Sequence, residues 1–274
     1  MRENDGSIAA LAALPQPPAF LLMKAGIFER SGRLKFVASP KHVLTFCQKN
    51  VEMHAWVTYR LADRTQLTRA AGQRLGQNLN QLFDKSCFAS VELDIEPLSG
   101  FRSGLQEFLE EVRRTMRQDR KLVMALAPVG PPATKGQWWN EKDLKTLLGI
   151  VDGVDFMLYD TGLERGPYVE VLKRAVAVAK TYPDKQFRLG LPAYYDKNRP
   201  LHPMGIENTT VAYDTFRDLL KEGEETLCSP SVRVLYYAYW TMKREDLENA
   251  RALDAMLRER CAERPKSKGA TPLR

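Results

Sequence analysis

The chain has 274 residues, 44% of them hydrophobic and 27% charged, a balance ordinary for one large globular domain. Its formal charge is +7, but the basic residues are dispersed along helical stretches: Arg113, Arg114, Arg117 and Arg120 interleave with Glu110 and Glu111. No aromatic–basic array or nucleic-acid module accompanies them, so nucleic acid is not an expected partner. Apolar runs such as Ala19 to Met23 are too short to span a bilayer.

From Ala19 onward, short apolar runs alternate with longer amphipathic stretches. Ala19 to Lys24 reads as a strand ending at Ala25-Gly26, and Pro40 to Asn50 has helical spacing. Val51 to Tyr59 is a strand and Arg64 to Phe83 a helix. Phe88 to Ile95 is the next strand, and Gly104 to Arg117 a helix with Leu105, Phe108, Leu109 and Val112 on one face. Lys121 to Ala127, Val154 to Tyr159, Phe187 to Leu191 and Val232 to Trp240 continue the strands. Helices over Lys142–Leu148, Tyr168–Lys180, Thr210–Lys221 and Glu245–Arg258 alternate with them. This rhythm predicts an α/β fold with a parallel sheet and crossover helices.

Seven strands are visible where a closed (β/α)8 TIM barrel needs eight. The segment Ser7 to Leu14 is Ala-rich and helical, so the first strand is expected to be missing or atypical. The expected organisation is a single TIM-barrel-like catalytic domain over 1–262, residues 1–18 being an atypical opening and 263–274 a disordered basic tail. An open doubly wound sheet would carry a Gly-rich nucleotide loop after an early strand, and the sequence has none.

The four cysteines, Cys47, Cys87, Cys228 and Cys261, lack metal-ligand spacing and do not cluster with His42, His54 or His202. Buried or free thiols and no metal site are expected.

Chemistry concentrates in Val91-Glu92-Leu93-Asp94-Ile95-Glu96-Pro97. Strand alternation sends Glu92, Asp94 and Glu96 to the same face, neighbouring Cα atoms about 7 Å apart. Like charges so close are costly to bury unless they share protons or serve catalysis. In a barrel the site gathers at the C-terminal strand ends. The rhythm places Tyr159, Asp160, Tyr194, Tyr195, Tyr239 and Trp240 there, with His54, Trp56 and Tyr59 on the strand before the carboxylates. Trp138-Trp139, in a Gly- and Pro-rich loop, reads as a pair of exposed aromatics of the kind that marks binding; His54 reads as a supporting residue. Acids beside aromatic platforms suit a carbohydrate, whose glycosidic oxygen needs a proton donor.

These residues resemble the chitinase-like glycoside hydrolases of family 18 over about Ala19 to Met242. The family's Asp-Gly-x-Asp-x-Asp-x-Glu signature aligns with Ala89 to Glu96, and its Met-x-Tyr-Asp with Met157 to Asp160. Its Gly-x-Pro-x-Tyr pattern is similar to Gly190 to Tyr194, and Trp240 stands at its floor tryptophan. The resemblance implies a glycosidase acting on an N-acetylhexosamine glycan, chitin-like or peptidoglycan-like, without a cofactor. Glu96 would protonate the leaving oxygen with a raised pKa, and Asp94 would orient the substrate's own 2-acetamido group as the nucleophile. Tyr159 would bind that group, while Asp160, Glu92, Trp240, Tyr194 and Trp56 would line the sugar site. The residues alone leave a direct two-carboxylate mechanism open, using Glu96 with Asp160 or Asp94. Ala89, Ser90 and Glu92 depart from the signature, and Pro97 matches relatives with an Asp-x-Glu-Pro ending. A non-catalytic glycan-binding barrel is the alternative function. Compartment and oligomeric state are not legible.

Overall fold

The computed structural model describes residues 20–37, 40–60, 67–96, 104–130, 139–194, 202–237 and 242–262. The expected helix at Ser7–Leu14 and tail at 263–274 lie outside these residues, as do Pro97, Trp138, Tyr195, Tyr239 and Trp240. Two compact units are present: one comprises the chain to Met157 plus Lys185–Arg188, the other Leu158–Asp184 plus Leu189 onward.

The first unit begins with β1 (Phe20–Phe28) and β2 (Leu34–Phe36), then α1 (Pro40–Cys47), β3 (Glu52–Arg60) and α2 (Arg69–Asp84). It continues with β4 (Phe88–Glu96), α3 (Leu105–Thr115), β5 (Lys121–Leu126), α4 (Glu141–Leu148) and β6 (Gly153–Met157). β1, β3, β4, β5 and β6 pair in parallel in that order. β2 pairs antiparallel outside β1, which makes the sheet mixed. β7 (Gln186–Pro192) follows β6, and Gln186 N donates to Asp152 O.

The seven strands read from the sequence all form. The eighth, β2, is a three-residue return that a periodicity argument cannot register. It exists because β1 runs past Ala25 to Phe28 through an irregularity between Lys24 and Gly26. A Cβ on Gly26 would sit 2.6 Å from Leu34 Cδ1, so the tight β1–β2 approach uses glycine. α2 starts at Arg69 rather than Arg64, because the Thr68 hydroxyl caps it by accepting from Ala71 N.

One face of this sheet is apolar. Met53, Ala55 and Val57 of β3 and Val91 and Leu93 of β4 are buried, as are Leu75 and Leu79 of α2 and Phe108, Leu109 and Val112 of α3. A Cβ on Gly72 would lie 2.3 Å from Phe108 O, so α2 and α3 approach at backbone contact. The residues alternating with that apolar set are polar, and they make the site below.

The second unit contains α5 (Arg165–Thr181), the end of β7, α6 (Thr209–Lys221), a short 3-10 helix (Thr226–Cys228), β8 (Val232–Tyr237) and α7 (Arg244–Ala262). Its core is Tyr168, Leu172, Leu189, Leu191, Phe216 and Leu253. β7 and β8 are linked where Ala193 N donates to Tyr237 O.

The expected free thiols are a correction. Cys47, ending α1, bonds Cys87, just before β4, and Cys228 bonds Cys261. The partners are 40 and 33 residues apart, so spacing carries no trace of the pairing that tertiary folding creates. Among the described residues no helix is long and apolar enough to cross a membrane.

Candidate active site

β4 delivers three acids to one face. Glu92 and Asp94 are buried, whereas Glu96 ends the strand and is exposed. The β3–β4 register sets Trp56 beside Glu92, Thr58 beside Asp94 and Arg60 beside Glu96. Trp56 Nε1 donates to Asp94 Oδ2 at 3.0 Å, and Lys24 of β1 places its ammonium 5.2 Å from the Trp56 ring centroid. Asp94 Oδ1 is buried and has no hydrogen-bond partner among the described residues.

That environment perturbs Asp94. Burial, then the charges of Glu96 and Glu92, push its carboxyl up to about 7, against the opposing pull of the Trp56 hydrogen bond and the Lys24 charge. The acid that burial and its neighbours raise is Asp94, two residues before Glu96 on the same strand face.

Below Asp94 lies a charged cluster that sequence reasoning missed. Arg188 Nη1 donates to Glu92 Oε2 at 2.8 Å, with both side chains buried. Arg188 Nη2 donates to Ser90 Oγ and His54 Nδ1, each at 3.0 Å. His54 Nε2 faces Glu52 Oε1 at 3.3 Å. Asp155 of β6 is 4% exposed and close enough to the Glu92 carboxyl for each to perturb the other. Burial pushes Glu92 well above the usual carboxylate range and Asp155 upward too, the Arg188 charge opposing both. Gly153 stands in register with Val123, itself beside Glu92, and Ala125 with Asp155.

The second unit gathers three other candidates. Tyr194 Oη donates to Asp160 Oδ1, and the Tyr159 ring packs edge-on to Tyr194 and stacks on Tyr237, centroids 5.8 and 5.0 Å away. Asp160 has φ 55°, a left-handed conformation stabilised by Glu207. Glu207 Oε1 accepts from Thr161 N at 2.8 Å, from Gly162 N at 3.1 Å and from Thr161 Oγ1. His202 Nε2 donates to Tyr194 O, and its Nδ1 lies 3.1 Å from Glu207 Oε2.

Asp160, His202 and Glu207 offer ligand atoms within 4.8 Å of one another, a donor set able to hold a divalent cation. Their lone pairs and protons are already committed to this hydrogen-bond cluster. Neither His202 nor Glu207 belongs to a local motif, so nothing in the sequence announced them.

Trp139 corrects another expectation. It is fully buried, its amide donating to Pro128 O, so this ring packs as core. Trp240 lies outside the described residues.

No protein-family model matches this sequence, and no curated protein matches it either. Solved structures do. The spore cortex-lytic enzyme SleL of Bacillus cereus shares 17% identity at TM-score 0.63, covering 92% of this chain and 70% of that one. A chitinase of Chromobacterium violaceum shares 12% at TM-score 0.63, covering 91% and 95%. A family GH18 chitinase of the same organism shares 15% at TM-score 0.60, covering 90% and 78%. The fold of this chain is chitinase-like, an α/β arrangement of the TIM-barrel type with a mixed sheet.

Proposed function

We propose that the chain is a glycoside hydrolase acting on an N-acetylhexosamine-containing glycan, with Glu96 as the proton donor and Asp94 as the group that positions the substrate's acetamido nitrogen. The observation that carries this reading is the Asp94 carboxyl. One oxygen is fixed by Trp56 and the other is buried without a donor. Such an oxygen is costly in the free protein and is satisfied by an N–H delivered from outside. An acetamido group carries that N–H, and its carbonyl oxygen can then attack the anomeric carbon.

The steps follow from the chemistry of the groups. In this reading Glu96, exposed at the strand end, meets a leaving oxygen and transfers a proton to it, which its exposure supports. As the acetamido oxygen closes on the sugar carbon, positive charge develops on its nitrogen, and ionised Asp94 stabilises that charge. Water then opens the cyclic intermediate with Glu96 acting as base, which returns the product with retained configuration. Tyr159, Asp160, Tyr194 and Trp240 are the sugar-binding residues of this reading on family resemblance. The two disulfides support work in an oxidising compartment, where cell-wall glycans are met.

The test is release of reducing ends from chitin oligosaccharides and from peptidoglycan by the full chain. Glu96→Gln should abolish release and leave glycan binding intact. Release unchanged in that variant removes Glu96 from the mechanism. Binding without release by the native chain on both substrates leaves the non-catalytic glycan-binding barrel.

A further inference from the structure

The cluster beneath Asp94 contains more acid than its surroundings can ionise. Facing it are Lys24 from β1, His54 and Trp56 from β3, Glu92, Asp94 and Glu96 from β4, Asp155 from β6 and Arg188 from β7. Arg60 stands in register with exposed Glu96 at the strand end. His54 contributes no charge: Arg188 can only donate, so Nδ1 accepts, and the ring proton sits on Nε2 toward Glu52. Glu52 meets this group through His54. Among the described residues, Arg188, 2% exposed, is thus the one cation bonded to the Glu92–Asp155 pair, through Glu92. Two carboxyls in contact, 2% and 4% exposed, cannot both stay ionised against a single guanidinium.

We infer that Glu92 and Asp155 hold one proton between them above Arg188, so that the floor beneath Asp94 is electrically neutral, and that Asp155 and Arg188 are positioning residues for the site. The count is two carboxyls, one proton and one guanidinium, with net charge zero. Asp94 then responds chiefly to its own burial, to Glu96 and to Lys24, the push from Glu92 being offset by Arg188. This explains why Glu92 is tolerated where the family signature has a shorter acid: the longer side chain reaches Arg188 and Asp155, and its charge is absorbed there. The bearing on catalysis rests on the glycosidase reading, but the shared proton does not. The experiment below uses no glycan, so the two can fail separately.

The readout is the indole N–H resonance of Trp56 in the full chain, assigned by Trp56→Phe, because that N–H donates to Asp94 and follows its ionisation. Glu92→Gln and Asp155→Asn each remove one carboxyl and the shared proton together, leaving the floor neutral. Each should move the Asp94 midpoint by less than about half a unit. The double variant leaves Arg188 uncompensated and should lower the midpoint by about one unit or more. A fall of about a unit in either single variant means the pair was doubly ionised and overturns the proposal, as does a folded double variant with an unchanged midpoint. Carboxyl-carbon shifts of Glu92 and Asp155 in the native chain give the count should the double variant not fold. One protonated carboxyl through the Asp94 step is expected, and two ionised carboxylates overturn it.

Discussion

In the second unit, Glu207 sets one oxygen against the amides of Thr161 and Gly162 and the Thr161 hydroxyl, and the other against His202. In the first unit, Asp94 is also buried, with one donor for one oxygen and none for the other among the described residues. Two buried acids therefore do opposite things to the fold. Glu207 is a saturated acceptor that fixes a turn carrying a left-handed Asp160, so it works for stability. Asp94 retains an unmet hydrogen-bonding demand, which stabilises nothing until a ligand meets it. Burial alone does not mark a functional acid; burial with an unsatisfied atom and crowding like charges does.

Removing each carboxylate sharpens the contrast, and the largest stability effect is expected at Glu207. Glu207→Ala orphans the amides of Thr161 and Gly162 and the Thr161 hydroxyl at once. It should cost about 3–5 kcal/mol in denaturant unfolding. A loss below about 1 kcal/mol would mean that the cluster is replaceable by water.

Asp94→Asn should behave in the reverse way. It removes a carboxyl from beside Glu92 and Glu96 while preserving shape, so stability above neutral pH should rise or hold. On a glycan that the native chain cleaves, turnover should fall about 100-fold or more, the loss expected for one charge-stabilising group. Equal loss of stability in the two variants would erase the distinction drawn between the units.

The seven parallel-type strands and the carboxylate face of β4 were legible because both rest on local periodicity: apolar runs of strand length, and a two-residue alternation of acids. Asp155 and Arg188 were not, although each lies inside a strand read correctly. Their meaning depends on meeting Glu92, which is 96 residues from Arg188 in the chain. Arg188 between Phe187 and Leu189 is the signal that was there to use, since a cation inside an apolar strand needs a buried counter-charge. His202 and Glu207 sit in a loop with no period at all. The disulfides and the burial of Trp139 are likewise outcomes of tertiary contact.

The pH dependence of stability separates the units by a smaller amount. The Asp94 carboxyl has an unfolded value near 3.8 and a folded value of about 7, so between those limits the native state binds more protons than the unfolded chain. Its contribution is full below the unfolded value and is lost as pH rises through the folded one. Glu92 and Asp155 shift in the same direction. The native chain should therefore be more stable at about pH 5 than at about pH 8, by about 1–3 kcal/mol. Asp94→Asn should flatten that slope, whereas Glu207→Ala should lower the curve without flattening it. A native profile that is level across this range would show that Asp94 ionises in the fold as it does in the unfolded chain.

The smallest effect is expected at Trp56. Its indole N–H favours the ionised form of Asp94, so Trp56→Phe removes a donor from the carboxylate and should raise the Asp94 midpoint further. The ring volume is largely kept and Lys24 retains an aromatic face, so the stability change should stay near 1 kcal/mol. On a cleavable glycan the alkaline approach to full activity should move to higher pH while the maximal rate changes little. That pattern distinguishes a residue that sets the charge of Asp94 from one that merely fills space, because a packing defect would lower the rate at every pH and leave the midpoint where it was.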